Sequence, residues 1–368
     1  MFVVQCLTNL MDIFPTVCGT IVNHGAVKAV VDVLERSLGF LDLNDACVKC
    51  LEKVSLENPY AILTSGALGL CLNMMDFFEL PTQRKILQLT LNVSRHSASE
   101  ADFDAHVLPT LPCLCTLLQA RVDSADQKVE TVLHIVLRVC ESVMRFFSPA
   151  SHFAKVAEQF EKVGASGIVD GVLQKLQEFG AAEDAMEIAF SQQAAPLSNQ
   201  AVLHALRVLT NCARYSARLT KVMLVEHDLL RVLAGLLPSK EDLRKSRDAF
   251  PFVSEVIPLV DALLPEREEL LRTDQEKQRL QQEQAKLAVF QSQGIVVFLA
   301  EKLLPRVFFV FENNLSLAFR SKALQIIDKM VALFSNELLD NFIEPYSFAK
   351  FIASNLRSLQ PQSVKLCL

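Results

Sequence analysis

The sequence predicts an all-α protein, a right-handed α-solenoid of roughly seven or eight units interrupted by one charged insertion. Three observations predict it. A segment returns 41 residues later without a gap, Ile21-Val22-Asn23-His24-Gly25-Ala26-Val27 recurring as Ile62-Leu63-Thr64-Ser65-Gly66-Ala67-Leu68. The recurrence extends backwards, with Cys6 falling on Cys47, Leu10 on Leu51 and Ile13 on Val54, so that a whole unit of helix, turn and helix is repeated. The composition is 51% apolar but only 7% aromatic, with no Trp. That balance suits Leu, Val, Ile and Ala packed between close helices and excludes a β-rich fold.

Units of about 40 to 47 residues built from two or three helices are the armadillo and HEAT class. One such unit cannot bury its apolar face alone and must stack on its neighbours, so length is no guide to domain number. Function in this class is expected on a surface rather than in a pocket.

The elements follow in order. Residues 2–14 read as an apolar helix with Phe2, Val3, Cys6, Leu7, Leu10 and Ile13 on one stripe at helical spacing. No partner helices precede it, and residues 361–368 resemble the opening of another helix, so the chain reads as a segment of a longer solenoid. Asn58-Pro59 is an N-cap with proline at the first helical position, Leu80-Pro81-Thr82 opens the next long helix, and Ser99 to Asp102 has capping-box spacing. Gly25, Gly66 and Gly167 each precede an apolar helix, at a turn where a side chain is expected to collide.

Later units drift. Residues 107–119 form a second helix, 128–147 a long third helix, 153–179 a pair around Gly164-Ala165-Ser166-Gly167, and 199–237 a clear unit with Leu206, Leu209, Cys212 and Leu224. Residues 180–198 lose the periodicity and are expected as a loop with a partial helix, and helix returns at 250–264 before Pro265. The sharpest break in composition follows. The chain therefore divides into repeats at 1–265, a charged inserted helix or flexible linker at 266–289, and further repeats at 290–368. Within the insertion, pairs such as Glu268 with Arg272 support an exposed, mobile helix. Segments 287–311, 317–334 and 337–359 resume the helical pattern, and Val307-Phe308-Phe309-Val310-Phe311 is buried helix rather than strand.

Charge and cysteine usage narrow the function. The net charge is −6, with no run of five or six like charges to serve as a nucleic-acid arm. No apolar run reaches the length of a membrane span, and the start lacks the basic region of a secretory signal. Nucleic-acid and membrane partners are thus not expected, and an intracellular, cytoplasmic or nuclear setting is. The 10 cysteines have no framework spacing. Cys47-Val48-Lys49-Cys50 is formally a C-x-x-C, but it lies inside a helix and has no second ligand pair. It reads as core packing, as does Cys113-Leu114-Cys115.

One stretch is more specific. Pro59 to Leu68, followed by Met75-Asp76-Phe77-Phe78-Glu79-Leu80-Pro81-Thr82-Gln83-Arg84, resembles the N-terminal armadillo region of HECT-type E3 ubiquitin-protein ligases of the ubiquitin-fusion-degradation class. In that family an Asp/Glu-Phe-Phe, a four-residue turn and Gln-Arg recur at this spacing. Ala201 to Leu237 and Val253 to Pro265 are similar to its next units, whereas 145–200 departs from it. Read from the residues alone, Phe77 and Phe78 are core and inter-repeat packing, and Arg84 pairs with Asp76 or Glu79.

The resemblance implies a non-catalytic scaffold that recognises a substrate or ubiquitin moiety, in a longer protein whose catalytic domain is a ubiquitin-protein transferase. A ubiquitin-conjugating enzyme would be met only through that domain. No catalytic motif, metal-ligand set or cofactor signature occurs in this chain, so catalytic, metal and cofactor sites are all expected to be none. The alternative is a stand-alone armadillo adaptor for extended peptides, in nuclear import or cytoskeletal assembly; an import adaptor's Trp ladder is missing. For binding, the third helices aligned on Leu7-Thr8-Asn9-Leu10 give a ladder of Asn9, Cys50, Asn92, Arg138, Asn211, Asp261 and Lys329. Asparagine offers both a donor and an acceptor, so such a row suits the backbone of an extended segment.

Overall fold

The structure is a computed structural model that describes residues 1–37, 39–96, 99–122, 136, 138–140, 199–239, 252–266, 274–313 and 316–343. Every element among them is helical and none is a strand. The chain forms two compact units, one of residues 1–171 with 196–208, the other of 172–195 with 209–368.

The first unit shows the repeat directly. Helix α1 (Phe2–Ile13) is followed by α2 (Cys18–Asn23) and α3 (Ala26–Arg36), then α4 (Leu41–Glu57), α5 (Pro59–Thr64), α6 (Ala67–Asn73) and α7 (Leu80–Ser94). Helix α4 packs on α1, α3 and α7, so the long helices of successive repeats lie side by side. Short helical turns from α8 (Glu100–Asp102) lead to α9 (Leu111–Val122). The core is aliphatic and thiol-rich, with Cys47, Leu51, Ile62, Leu63, Cys71, Ile86 and Leu87 buried. Two threonines in it bond back along their own helices, Thr8 Oγ1 to Val4 O at 2.9 Å and Thr90 Oγ1 to Ile86 O at 2.8 Å. Each hydroxyl is satisfied without leaving the core.

Local chemistry sets the boundaries. Asn58 Oδ1 accepts from the Ala61 N–H at 3.2 Å and caps α5 with Pro59 in its first turn. Ser99 Oγ accepts from the Asp102 N–H at 3.2 Å and donates to Asp102 Oδ2 at 2.7 Å. Gly25 and Gly66 stand at φ 77° and 79°. A Cβ added at either meets nothing within 4 Å, so the collision expected from the sequence is absent. Glycine is needed there for the left-handed backbone itself. Asp228, before α12 (Leu229–Leu236), makes a turn of the same kind at φ 48°.

Two expectations fail in this unit. Phe78 is buried, but Phe77 is 73% exposed, because a 3₁₀ turn over Met75–Phe77 followed by an extended residue turns the two rings apart. In α1, the stripe expected to be interior is largely exposed at Phe2, Val3, Cys6, Leu10 and Ile13, while Val4, Thr8 and Met11 are buried.

In the second unit, α10 (Asn199–Tyr215) enters at Leu209 and is followed by α11 (Ala217–Lys221), α12 and α13 (Val253–Leu263). Then come α14 (Asp274–Val289), α15 (Gln293–Phe298), α16 (Leu304–Asn313), α17 (Leu317–Val331) and α18 (Asn336–Ile343). The Phe-rich run 307–311 lies in α16, with Val307, Phe308, Val310 and Phe311 buried. The Arg320 guanidinium of α17 sits 4.6 Å from the Phe311 ring centroid, and Arg306 Nη1 donates to Leu237 O.

Residues 274–289 of the charged insertion form α14, which packs on α11. Lys286 is only 2% exposed, so the C-terminal turns of this segment are docked where exposure was expected. Its Nζ donates to Ala262 O and Glu283 Oε1, each at 3.2 Å, and Glu283 Oε2 accepts from the Glu266 N–H at 2.8 Å. The expected pair Glu268–Arg272, the helices at 153–179 with Gly167, the loop at 180–198 and residues 344–368 lie outside the described residues.

Candidate partner-binding face of the third helices

The polar stripe of each long helix is fixed by the apolar one. In α4, Asp45, Lys49, Glu52 and Lys53 recur at helical spacing opposite the buried Cys47, Leu51 and Val54. This places them beside the matching stripes of α1 and α7, and bonds form across each step. Lys53 Nζ reaches Asp12 Oδ1 at 2.8 Å, and Lys85 Nζ reaches Asp45 Oδ1 at 3.1 Å while Thr82 Oγ1 also donates to that carboxylate. Asn92 Nδ2 donates to Ser55 Oγ at 2.9 Å, and Asn92 Oδ1 accepts from Gln88 Nε2 at 2.8 Å.

Electrostatics follow from these contacts. The hydrogen bond from Lys53 holds the Asp12 carboxyl below its ordinary range, against a smaller opposing effect of desolvation. Burial alone would raise the Asp45 carboxyl, but the bonds from Thr82 and Lys85 together outweigh it and bring it down. Burial pushes the Glu52 carboxyl up despite the nearby Lys53 and Lys85. The result is a balanced strip of both signs, able to hydrogen-bond a polypeptide backbone.

The sequence-predicted residues divide. Asn9 is exposed on the outer turn of α1. Asn92 is half-buried and tied to α4, and Cys50 is buried, its thiol pushed up by burial and therefore no surface ligand. Arg138 and Asn211 are half-buried on their helices. In the second unit Asp261 and Lys329 are joined to each other at 2.8 Å, with Lys322 Nζ 2.5 Å from the second Asp261 oxygen. Asn9, Cys50, Asn92 and Arg138 belong to the first unit, and Asn211, Asp261 and Lys329 to the second.

Sequence reasoning missed Lys49 and the Asp45–Lys85 step, although the i, i+4 spacing of Asp45, Lys49 and Lys53 was a usable signal. Arg84 stands exposed in the first turns of α7. Cys47 is buried and its thiol is pushed up to about 11 by burial, as suits a packed side chain. Among the described residues no group of three or more His, Cys, Asp or Glu is placed to hold a metal ion, and no single helix is long and apolar enough to cross a membrane.

No family model matches the chain. It is 31% identical over 166 residues to the E3 ubiquitin-protein ligase UPL3 of Arabidopsis thaliana, a stretch that makes up 45% of this chain and 8% of that protein. It is also 31% identical over 116 residues to UPL4 of the same plant, covering 32% of this chain and 8% of that protein. The match to the E3 ubiquitin-protein ligase TRIP12 of Danio rerio is 28% over 125 residues, 34% of this chain and 6% of that protein. The chain therefore spans less than a tenth of the length of the relatives it matches. Among solved structures, UNC-45 from Drosophila melanogaster superposes with a TM-score of 0.59 at 13% identity, over 98% of this chain and 38% of that one. At that identity the likeness concerns the fold alone. The chain is an armadillo-like helical protein whose homologues, over part of its length, are E3 ubiquitin ligases of the HECT type.

Proposed function

We propose that this chain acts in ubiquitin-dependent protein degradation, as the non-catalytic recognition scaffold of a HECT-type E3 ubiquitin ligase. It holds a protein substrate or a ubiquitin moiety, met as an extended segment, near a catalytic domain elsewhere in the polypeptide. The observation that carries this reading is the 31% identity to an E3 ubiquitin-protein ligase over 166 residues. The polar strip of α1, α4 and α7 supports it. With Asn92 bonded to Ser55 and Gln88, the side chains facing a partner in the first unit are Asn9, Lys49 and Arg84, all exposed. Work in ubiquitin-dependent degradation implies a cytoplasmic or nuclear setting.

The test is a deletion of these residues from the ligase of which they form part. Charging of the catalytic cysteine with ubiquitin is expected to persist while ubiquitin transfer to substrate is lost. Loss of charging, or unchanged transfer to every substrate tried, would overturn the reading. Changing Asn9, Lys49 and Arg84 together to Ala should reproduce the transfer defect with an unchanged melting temperature.

A further inference from the structure

Helices α4 and α7 run parallel and start level. Lys85 Nζ and Thr82 Oγ1, in the first turns of α7, both bond Asp45 near the start of α4, and further along the two helices Asn92 bonds Ser55. Axes of packed helices lie about 8–10 Å apart. The turns that lead into α4 and α7 therefore sit side by side.

Those turns carry large apolar side chains outward. Phe40 is 70% exposed and Leu41 59% exposed at the head of α4, and Phe77 is 73% exposed in the turn before α7. Phe77 belongs to a repeat with neighbours on both sides, since α7 packs on α4 and α6 packs on α9. Its exposure is thus a property of the turn. Nor are the turns loose. Across the one that holds Phe40, the buried Ser37 Oγ donates to the buried Asn44 Oδ1 at 2.5 Å. Around Phe77, Met75 and Phe78 are buried, and the buried Gln83 Nε2 donates to Phe78 O at 2.8 Å. Rings held outward on pinned turns are preorganised for contact, because binding then orders little further chain. Exposed apolar residues scattered singly are ordinary, whereas three at one edge of adjacent helices form a patch.

The charges beside the patch are mostly of one sign. Residues 35–42 and 74–80 carry the acids Glu35, Asp42, Asp76 and Glu79 and the single cation Arg36, all exposed. Arg84, a turn further into α7, belongs to the polar strip. A Lys or Arg side chain suits both parts of such an edge, the carboxylates by charge and the phenyl faces by cation–π attraction. The same acids repel an anionic lipid surface, and a second copy offering the same edge.

We propose that Phe40, Leu41 and Phe77 form an aromatic docking edge for a basic segment of a partner protein, whose apolar side chains cover the rings while its Lys or Arg side chains pair with Asp42, Asp76 and Glu79. The edge lies at the heads of the long helices, apart from Asn9 and Lys49, and the inference is independent of what the polar strip binds.

The probe is a phage-displayed library of short random peptides, selected on the whole chain. The recovered peptides are expected to be net positive and to contain apolar residues. The best of them, made synthetically, should bind Phe40→Ser/Phe77→Ser at least about tenfold more weakly, the scale of losing aromatic anchors. Asp76→Lys/Glu79→Lys, which keeps the rings, should weaken binding by a similar factor. The triple change of Asn9, Lys49 and Arg84 to Ala should leave it unchanged, which separates this edge from the strip. Every altered side chain is exposed, so melting temperatures should match the parent's; if the ring variant unfolds, the charge-reversal pair decides. Net-acidic peptides, peptides indifferent to the ring and charge changes, peptides lost on the strip variant instead, or no peptides at all overturn the proposal. So does a concentration-dependent dimer, or binding to phosphatidylserine vesicles, that Phe77→Ser abolishes, since the edge would then belong to a second copy or to a membrane.

Discussion

Asp261 and Lys329, 68 residues apart in the chain, are locked together by a 2.8 Å ion pair between α13 and α17. Lys329 Nζ also donates to the Asp261 carbonyl at 3.3 Å. Burial acts to raise the Asp261 carboxyl, but Lys329 and Lys322 together outweigh it and bring it below its ordinary value of 3.8. A folded-state value below the unfolded one means that the stabilisation is complete above about pH 4 and is lost as pH falls through the lower folded value. Acid unfolding followed by circular dichroism should therefore be less steep below pH 4 in Asp261→Asn. At neutral pH Asp261→Ala should cost about 3 kcal/mol, because Lys329 is left half-buried without its partner. Lys322→Ala should cost under about 1 kcal/mol, since a third of that side chain is in water and the pair is screened.

The docking of α14 rests on Lys286. Its ammonium loses most of its hydration on burial, which lowers its pKa against the pull of Glu283. The bonds to Ala262 O and Glu283 offset that loss. Lys286→Met keeps the volume but removes both bonds and leaves Glu283 facing an apolar group. Stability should fall by about 1–3 kcal/mol, and limited proteolysis within 274–289 should accelerate. Unchanged cleavage there would show that α14 is held by its apolar contacts with α11 alone.

At Gly66 the space is open but the backbone is left-handed. Gly66→Ala should cost about 1–2 kcal/mol through that backbone alone. Gly66→Asn should cost less, because Asn tolerates the region, as Asp228 does in the corresponding turn of a later unit. Denaturant titration of the three proteins ranks them. A larger loss for Asn than for Ala would mean that crowding, not φ, governs the position.

The parts of this fold that are written locally were legible in the sequence. Gly25, Gly66, Asn58 with Pro59, and Ser99 with Asp102 act on groups within a few residues, so spacing alone reveals them. What spacing cannot reveal is which face of a helix is covered. The stripe of α1 and that of α4 read alike, yet one is open and the other closed, because coverage is a property of the neighbouring repeat. Asp261 looked like a surface acid because its partners lie 61 and 68 residues away. Phe77 and Phe78 are adjacent in one motif, and only the 3₁₀ turn before them decides which ring enters the core.

Asn92 tests whether the ladder of third-helix residues serves binding or cohesion. In the structure its amide is used in both directions, donating to Ser55 in the preceding repeat and accepting from Gln88 in its own helix. Ser55 is buried and donates to Glu52 O, so its oxygen loses an incoming hydrogen bond when the amide is removed. Asn92→Ala should therefore destabilise the first unit by about 1 kcal/mol, the usual net worth of such a bond. Asn9→Ala, at an exposed position in α1, should change stability by less than about 0.5 kcal/mol. In substrate capture by the ligase the order should reverse, with Asn9→Ala the more harmful of the two. Measuring melting temperature and substrate affinity on the same pair of variants separates the roles. If Asn92→Ala weakens affinity while leaving the melting temperature untouched, Asn92 is a contact residue and its bond to Ser55 is incidental.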